Sequence, residues 1–174
     1  MESRVRLVKP SMKLKEQYLD FYEEWIHSGE EMVPWVIKRD PSDFEDMLKF
    51  LGNTETAVDL PEGWVPSTTS WLVDSDDNVV GAVNIRHSLN NELMNRGGHI
   101  GYGIRPSARR RGYATELLKQ SLQITKELGI SRVLVVCDAV NIASERTIRN
   151  NGGIEDIPYT EEDGNVIKRF WIEA

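Results

Sequence analysis

Four arginines, Arg105, Arg109, Arg110 and Arg111, crowd the run Gly101-Tyr-Gly-Ile-Arg-Pro-Ser-Ala-Arg-Arg-Arg-Gly-Tyr-Ala-Thr115. Their types and spacing suit one kind of chemistry, the holding of a phosphate or pyrophosphate. Pro106 ends an extended run, since it lacks an N–H and biases Arg105 away from helical angles. A helix is expected from Arg110 or Arg111, with Leu117, Leu118, Leu122 and Leu128 on its buried face and Gly129 as its stop. The first N–H groups of such a helix have no internal partners, and its dipole makes that end positive. Gly112, lacking a Cβ, lets an anion approach the main chain. On these residues alone a second reading stands beside it, in which the arginines open a solvated helix end and bind nothing.

The remainder of the chain bears on the size of the ligand. Outside these four arginines, 17 basic residues face 28 acidic ones. A basic notch in an acidic protein suits one small anion, whereas a nucleic-acid backbone needs an extended basic face. An RNA- or anion-binding module is therefore the weaker alternative. No G-x-x-x-x-G-K-[ST] run occurs, which excludes a P-loop, and Gly112 lacks the paired glycines of a dinucleotide fingerprint.

Arg109-Arg-Arg-Gly-Tyr-Ala114 resembles the R/Q-x-x-G-x-G/A signature of the GNAT acyltransferase superfamily. The context resembles it too: a strand before, an amphipathic helix after, then a strand and an Asn-x-x-Ser turn. The likeness covers most of the chain and is strongest from about Ile100 to Gly153. It implies an α/β fold: one mixed, mostly antiparallel twisted sheet with helices on both faces and a splayed central pair of parallel strands. It implies an N-acetyltransferase that moves an acetyl group from acetyl-coenzyme A to a primary amine by direct attack, or else a CoA-holding sensor of the same fold without turnover. Cofactor-binding positions carried over are Tyr102, Gly103, Ile104, Arg109, Arg110, Arg111, Gly112, Tyr113, Ala114, Thr115, Asn141 and Ser144. The acceptor is a small-molecule or peptide amine.

An amine of pKa about 10.4 is neutral in only about one molecule in 2,500 at pH 7, so a base would help. Many relatives carry a glutamate where this chain has Gly98. His99 adjoins it and titrates in a useful range, with Glu92 and His87 as further candidates. Strand alternation, however, sets His99 and Tyr102 on opposite faces. Many relatives also place a tyrosine four residues beyond the serine of the turn, where this chain has Ile148. Ser144, Tyr102 or a water is left to meet the departing thiolate, or the thiolate leaves unassisted. Asn141 either holds the cofactor's pantetheine arm or caps a turn, and Cys137, inside a Val-rich strand, reads as a buried, inert thiol.

These groups need a scaffold. At 174 residues, 40% hydrophobic and 28% charged, the chain fits a single domain over 1–174 with a proper core. Its net charge of −7 argues against membrane and nucleic-acid partners. Met1-Glu-Ser-Arg-Val-Arg-Leu is no signal peptide, no apolar run spans a bilayer, and one cysteine allows no internal disulfide, so a cytoplasmic protein is expected. A homodimer is left open.

Residues 4–8 alternate as a strand. Ser11 is the expected cap of a helix with Leu14, Tyr18, Phe21, Tyr22, Trp25 and Ile26 inward, ending near Gly29. A second helix starts at Asp40-Pro41-Ser42 and stops at Gly52. Residues 53–67 read as a loop, in which Trp64, with Trp35, either covers the acceptor or packs on the core. A hairpin spans 69–74 and 79–86 across Asp74-Ser-Asp-Asp-Asn78. Its turn lacks the glycine and glutamate of a calcium loop, so no metal is expected. Residues 88–96 form a short helix or loop, and Gly97-Gly98 open the motif strand. Arg132–Cys137 reads as a buried parallel-type strand. A short helix then ends at Gly152-Gly153, and a hairpin of 154–160 and 166–172 closes the chain.

Overall fold

A computed structural model describes residues 4–173; Met1, Glu2 and Ser3, where the leader was judged, and Ala174 lie outside it. The strands are β1 (Arg6–Val8), β2 (Ser67–Val73), β3 (Val79–Arg86), β4 (Ile100–Ile104), β5 (Arg132–Asp138), β6 (Ile154–Thr160) and β7 (Val166–Glu173). The helices are α1 (Lys15–Ser28), α2 (Phe44–Thr56), α3 (Tyr113–Glu127) and α4 (Ile142–Asn150).

The strands form two antiparallel sheets, ordered β1-β2-β3-β4 and β5-β7-β6. They meet between β4 and β5, and only at the root. There His99 N–H donates to Leu134 O at 2.7 Å, while Leu134 N–H donates to His99 Nδ1 at 2.9 Å. Three residues on along each strand, Tyr102 feels the field of Cys137, so the two run the same way. Among the described residues no main-chain hydrogen bond joins them beyond His99. The strand read as parallel-type thus ladders antiparallel to β7, and its parallel neighbour stands apart from it.

Helices cover both faces. Side chains of β2 alternate, so Leu72 joins Val83, Ile85, Leu117, Leu118 and Phe170 in one core layer. Trp71 joins Tyr18, Phe21, Trp25, Phe44 and Met47 in the other. Tyr18 stacks on Trp71 with ring centroids 4.2 Å apart. Each helix has one buried stripe, so tertiary packing sets its phase.

Helix ends depart from expectation. A 3-10 turn, Met12–Leu14, precedes α1, and the Ser11 side chain caps nothing. Ile26 is half exposed at the end of its stripe. Asp43, rather than Asp40, caps α2 by accepting from Asp46 N–H at 3.0 Å. That helix runs through Gly52 to Thr56, taking in the first residues of the expected loop; an exposed mid-helix glycine costs about 1 kcal/mol, which burial of Leu51 and Thr54 offsets. Residues Leu93–Gly97 form a π-type turn. The motif helix starts at Tyr113, two or three residues late, because Arg110 (φ 64°) and Gly112 (φ 78°) take left-handed angles that a helix cannot continue. No helix of the described residues is long and apolar enough to cross a membrane.

Candidate active site in the cleft between the sheets

The basic loop owes its shape to α1. Arg105 is almost enclosed, so its charge must be matched locally. Its Nη2 donates to Asp20 at 2.9 Å and to Glu24 at 2.8 Å, its Nε to Glu24 at 3.0 Å and its Nη1 to Val79 O at 3.1 Å. Glu24 also accepts from Ser107 N–H and Ser107 Oγ–H, each at 2.7 Å. Burial opposes ionisation of Glu24, but the hydrogen bonds from Arg105 and Ser107 outweigh it and hold the carboxyl below its ordinary range. Arg109 is tied as well, donating through Nη1 to Glu30 at 2.8 and 3.1 Å and through Nε to Ile104 O at 3.2 Å. The expectation of four arginines facing one anion is therefore corrected. Arg105 locks the loop, Arg109 bridges to Glu30, Arg110 reaches the cleft and Arg111 is exposed away from its lining.

What the loop does offer is main chain. Gly112 caps α3 with no side-chain bond to the helix end. Among the described residues, the N–H groups of Arg110 through Thr115 donate to no protein acceptor; the first helical bond is Glu116 N–H to Gly112 O.

Beside this loop lies a cleft of about 620 Å³, in the size range of small-molecule sites. The strands that part beyond His99 open it. Of the expected residues, Tyr102, Gly103, Ile104, Arg109, Arg110, Gly112, Tyr113, Ala114, Thr115, Asn141 and Ser144 line it; Arg111 and His99 do not. Trp25, Glu30, Glu31, Val33, Ala108, Ala143 and Thr147 complete the wall. Thr147 follows Ser144 by one helical turn, a spacing readable in advance. Trp25 belongs to the buried stripe of α1. Glu30, Glu31 and Val33 follow Gly29 without any periodic pattern.

Tyr102 Oη and Ser144 Oγ share a hydrogen bond of 2.8 Å across the cleft. Burial pushes the Tyr102 hydroxyl up to about 12 despite that bond, so it keeps its proton at neutral pH. Asn141 Oδ1 accepts from Ser144 N–H at 3.1 Å, so the residue caps α4 and lines the cleft at once.

The candidate bases lie elsewhere. His99 is 6% exposed, its Nδ1 occupied by Leu134 N–H, and burial with the nearby Arg86 charge pulls it down to about 4. It is a neutral imidazole with its proton on Nε2. His87 binds Thr68 Oγ1 through Nε2 at 2.7 Å, and Glu92 is an exposed partner of Arg96. The missing glutamate has a steric cause: Gly98 has φ 67°, and a Cβ there would stand 2.6 Å from Leu134 O. Ile148 is wholly buried in the core. Cys137 is buried, and burial pushes its thiol up to about 11. The Asp74 carboxylate accepts from Asp76 N–H, Asn78 N–H and Asn78 Nδ2, closing its own turn. The described residues contain no group of three or more His, Cys, Asp or Glu side chains placed for a metal.

Comparison with known proteins gives this arrangement a context. No curated protein sequence matches the chain. Among solved structures, it resembles the microcin C7 self-immunity acetyltransferase in complex with acetyl-CoA and AMP (13% identity, TM-score 0.69, covering 99% of this chain and 94% of that one). It also resembles the ribosomal L7/L12 alpha-N-protein acetyltransferase in complex with coenzyme A (11%, TM-score 0.71, 99% and 95%). A third is the dodecameric spermidine N-acetyltransferase from Vibrio cholerae (14%, TM-score 0.66, 99% and 95%). At such identities the likeness is one of fold. The sequence model of the GNAT acetyltransferase domain, however, matches residues 4–154, and the chain belongs to that family.

Proposed function

We propose that residues 1–174 act as one acetyltransferase domain that carries the acetyl group of acetyl-CoA to the nitrogen of a primary amine. One observation supports the reading above others: a row of unpartnered main-chain donors, Arg110 to Thr115, at one end of a cleft opened by diverging strands. The diphosphate of CoA is the anion those donors suit, with Arg110 beside them. Acetyl-CoA supplies an activated thioester. The N–H groups on the free edge of β4, at Tyr102 and Ile104, would donate to the thioester oxygen as charge grows on it. Tyr102 and Ser144 would meet the departing sulfur.

No histidine in the cleft takes the amine's proton. Of the two carboxylates lining the cleft, Glu30 is held by Arg109 and Glu31 pairs with Lys38 at 3.5 Å, so the chain favours amines that arrive neutral. The rate should then rise with pH along the acceptor's own titration. A second reading, a CoA-holding module without turnover, is favoured by Gly98, whose surroundings admit no carboxylate. Calorimetry with acetyl-CoA followed by free-thiol release with a panel of amines tests both. Binding with thiol release supports the enzyme, binding without it the module, and no binding overturns both.

A further inference from the structure

On the face of β4 opposite Tyr102, the strand presents Gly101 and Gly103, and β3 sets Arg86 beside them. A Cβ on Gly101 would meet Arg86 Nη1 at 3.1 Å and Pro34 Cβ at 3.5 Å, so bare main chain, proline and guanidinium share one small space. Arg86 is mostly covered, and burial alone pulls its guanidinium down to about 10, with no acid raising it. Among the described residues, no carboxylate lies in ion-pair range of it. Its one protein acceptor is Gly97 O, at a long 3.4 Å. Other enclosed arginines in this chain are treated differently: Arg105 holds Asp20 and Glu24, and Arg169 holds Asp156.

A covered cation with five donors and one weak acceptor is costly unless something supplies the missing charge. Its place says what that something accompanies. Arg86 lies outside the cleft's lining, but Gly103, two residues along the same face and covered there by Val33 O, lines it together with Val33, and two residues of strand span about 7 Å. The guanidinium thus stands one pleat repeat beyond the main-chain groups proposed to hold the thioester, on the side away from Ser144. A polyamine would meet like charge there. A carboxylate would receive the planar fork.

Resting on the acetyltransferase reading, we infer that Arg86 is a specificity residue that pairs with a carboxylate on the acceptor, and that the acceptors are small amino acids, whose carboxylate lies within a few bonds of the attacking nitrogen. The test measures free-thiol release from acetyl-CoA with the common α-amino acids, each beside its α-carboxamide. The wild type should prefer the acid over the amide by at least about tenfold in kcat/KM. Arg86→Gln should bring that ratio to about one while leaving the KM for acetyl-CoA within about twofold, and Arg86→Lys should fall between. Equal use of acid and amide by the wild type, thiol release with neither, or an unchanged ratio in Arg86→Gln overturns the inference. Should Arg86→Gln not fold, the thermal midpoint of wild-type protein saturated with CoA decides: a rise with the acid alone supports it, and an equal rise or none overturns it. Calorimetry on the same preparation separates the two levels. Failure to bind acetyl-CoA removes the acetyltransferase reading, whereas turnover indifferent to the carboxylate removes only the role of Arg86.

Discussion

The two ends of the cleft are built from different materials. At the α3 end the groups proposed to bind are unpartnered main-chain N–H donors, and the nearby arginines are largely spent on carboxylates of α1 and its following segment. Past its far end the main chain of β4 is glycine, roofed by Val33 O and Pro34, and the groups with chemistry are the side chains of Arg86 and His99, which stand beyond the cleft's own lining. A main-chain site tolerates exchange of its side chains but not of its backbone angles. A side-chain site behaves the opposite way.

The sharpest way to break that contrast is Gly112→Asp. The variant sets a carboxylate at the row of donors and forces a non-glycine residue into a left-handed angle, at about 1–2 kcal/mol in strain alone. Calorimetry should show acetyl-CoA binding weakened by at least about 100-fold. Gly112→Asn, neutral and tolerant of that angle, should lose only a few-fold. Equal losses in the two variants would mean that the backbone donors are not what binds.

Next in size is Glu24→Ala, which strips Arg105 of its main partner and frees both donors of Ser107. Breaking a largely buried pair costs about 3 kcal/mol, read in urea unfolding. Because the loop stays in the chain but loses its anchor, the KM for acetyl-CoA should rise with kcat little changed. A fall in kcat alone would place Glu24 in the chemistry instead of in the scaffold.

At the side-chain end, His99 gives a pH test. Its folded pKa of about 4 lies below the ordinary 6.5. Below pH 6.5 the unfolded chain takes up a proton that the folded one refuses. Stability is therefore full above about 6.5 and falls as the pH drops to about 4, by about 2–3 kcal/mol. His99→Asn can still accept from Leu134 N–H through Oδ1 and should flatten this slope in thermal scans. The acid limb of the rate profile should not move, since it belongs to the amine; a shifted limb would return His99 to the role of base.

The same contrast explains what the sequence disclosed. Gly112 announced itself because a glycine between a proline-ended strand and an amphipathic helix leaves local marks, although its left-handed angle, which delays the helix to Tyr113, did not. The hairpins and both buried strands of the centre were equally local. The fate of Arg105 depends on Glu24, 81 residues away, so four arginines looked alike when two were already paired. Gly52 read as a stop because nothing in its neighbourhood reports that Thr54 is buried. His99 looked like a base until Leu134 occupied its Nδ1. Arg86 carried no pattern, since lacking a partner is a tertiary fact.

The smallest expected effect is at the boundary of the two regions, where Tyr102 and Ser144 meet. A hydroxyl at about 12 cannot fully protonate a thiolate whose conjugate acid sits near 8.5, a step uphill by about 5 kcal/mol. Tyr102 can therefore offer the sulfur a hydrogen bond and little more. Such a charge-assisted bond is worth about 1.5–3 kcal/mol. Yet Tyr102→Phe should lower kcat only a few-fold, because removing its hydroxyl releases Ser144 Oγ–H from their shared bond to donate in its place. Ser144→Ala should cost about as little, for the converse reason. The double variant has no donor left and should lose about 10- to 100-fold, more than the product of the singles. Strict multiplicativity, read from kcat at saturating acetyl-CoA, would show that the pair serves packing and that the sulfur leaves without either hydroxyl.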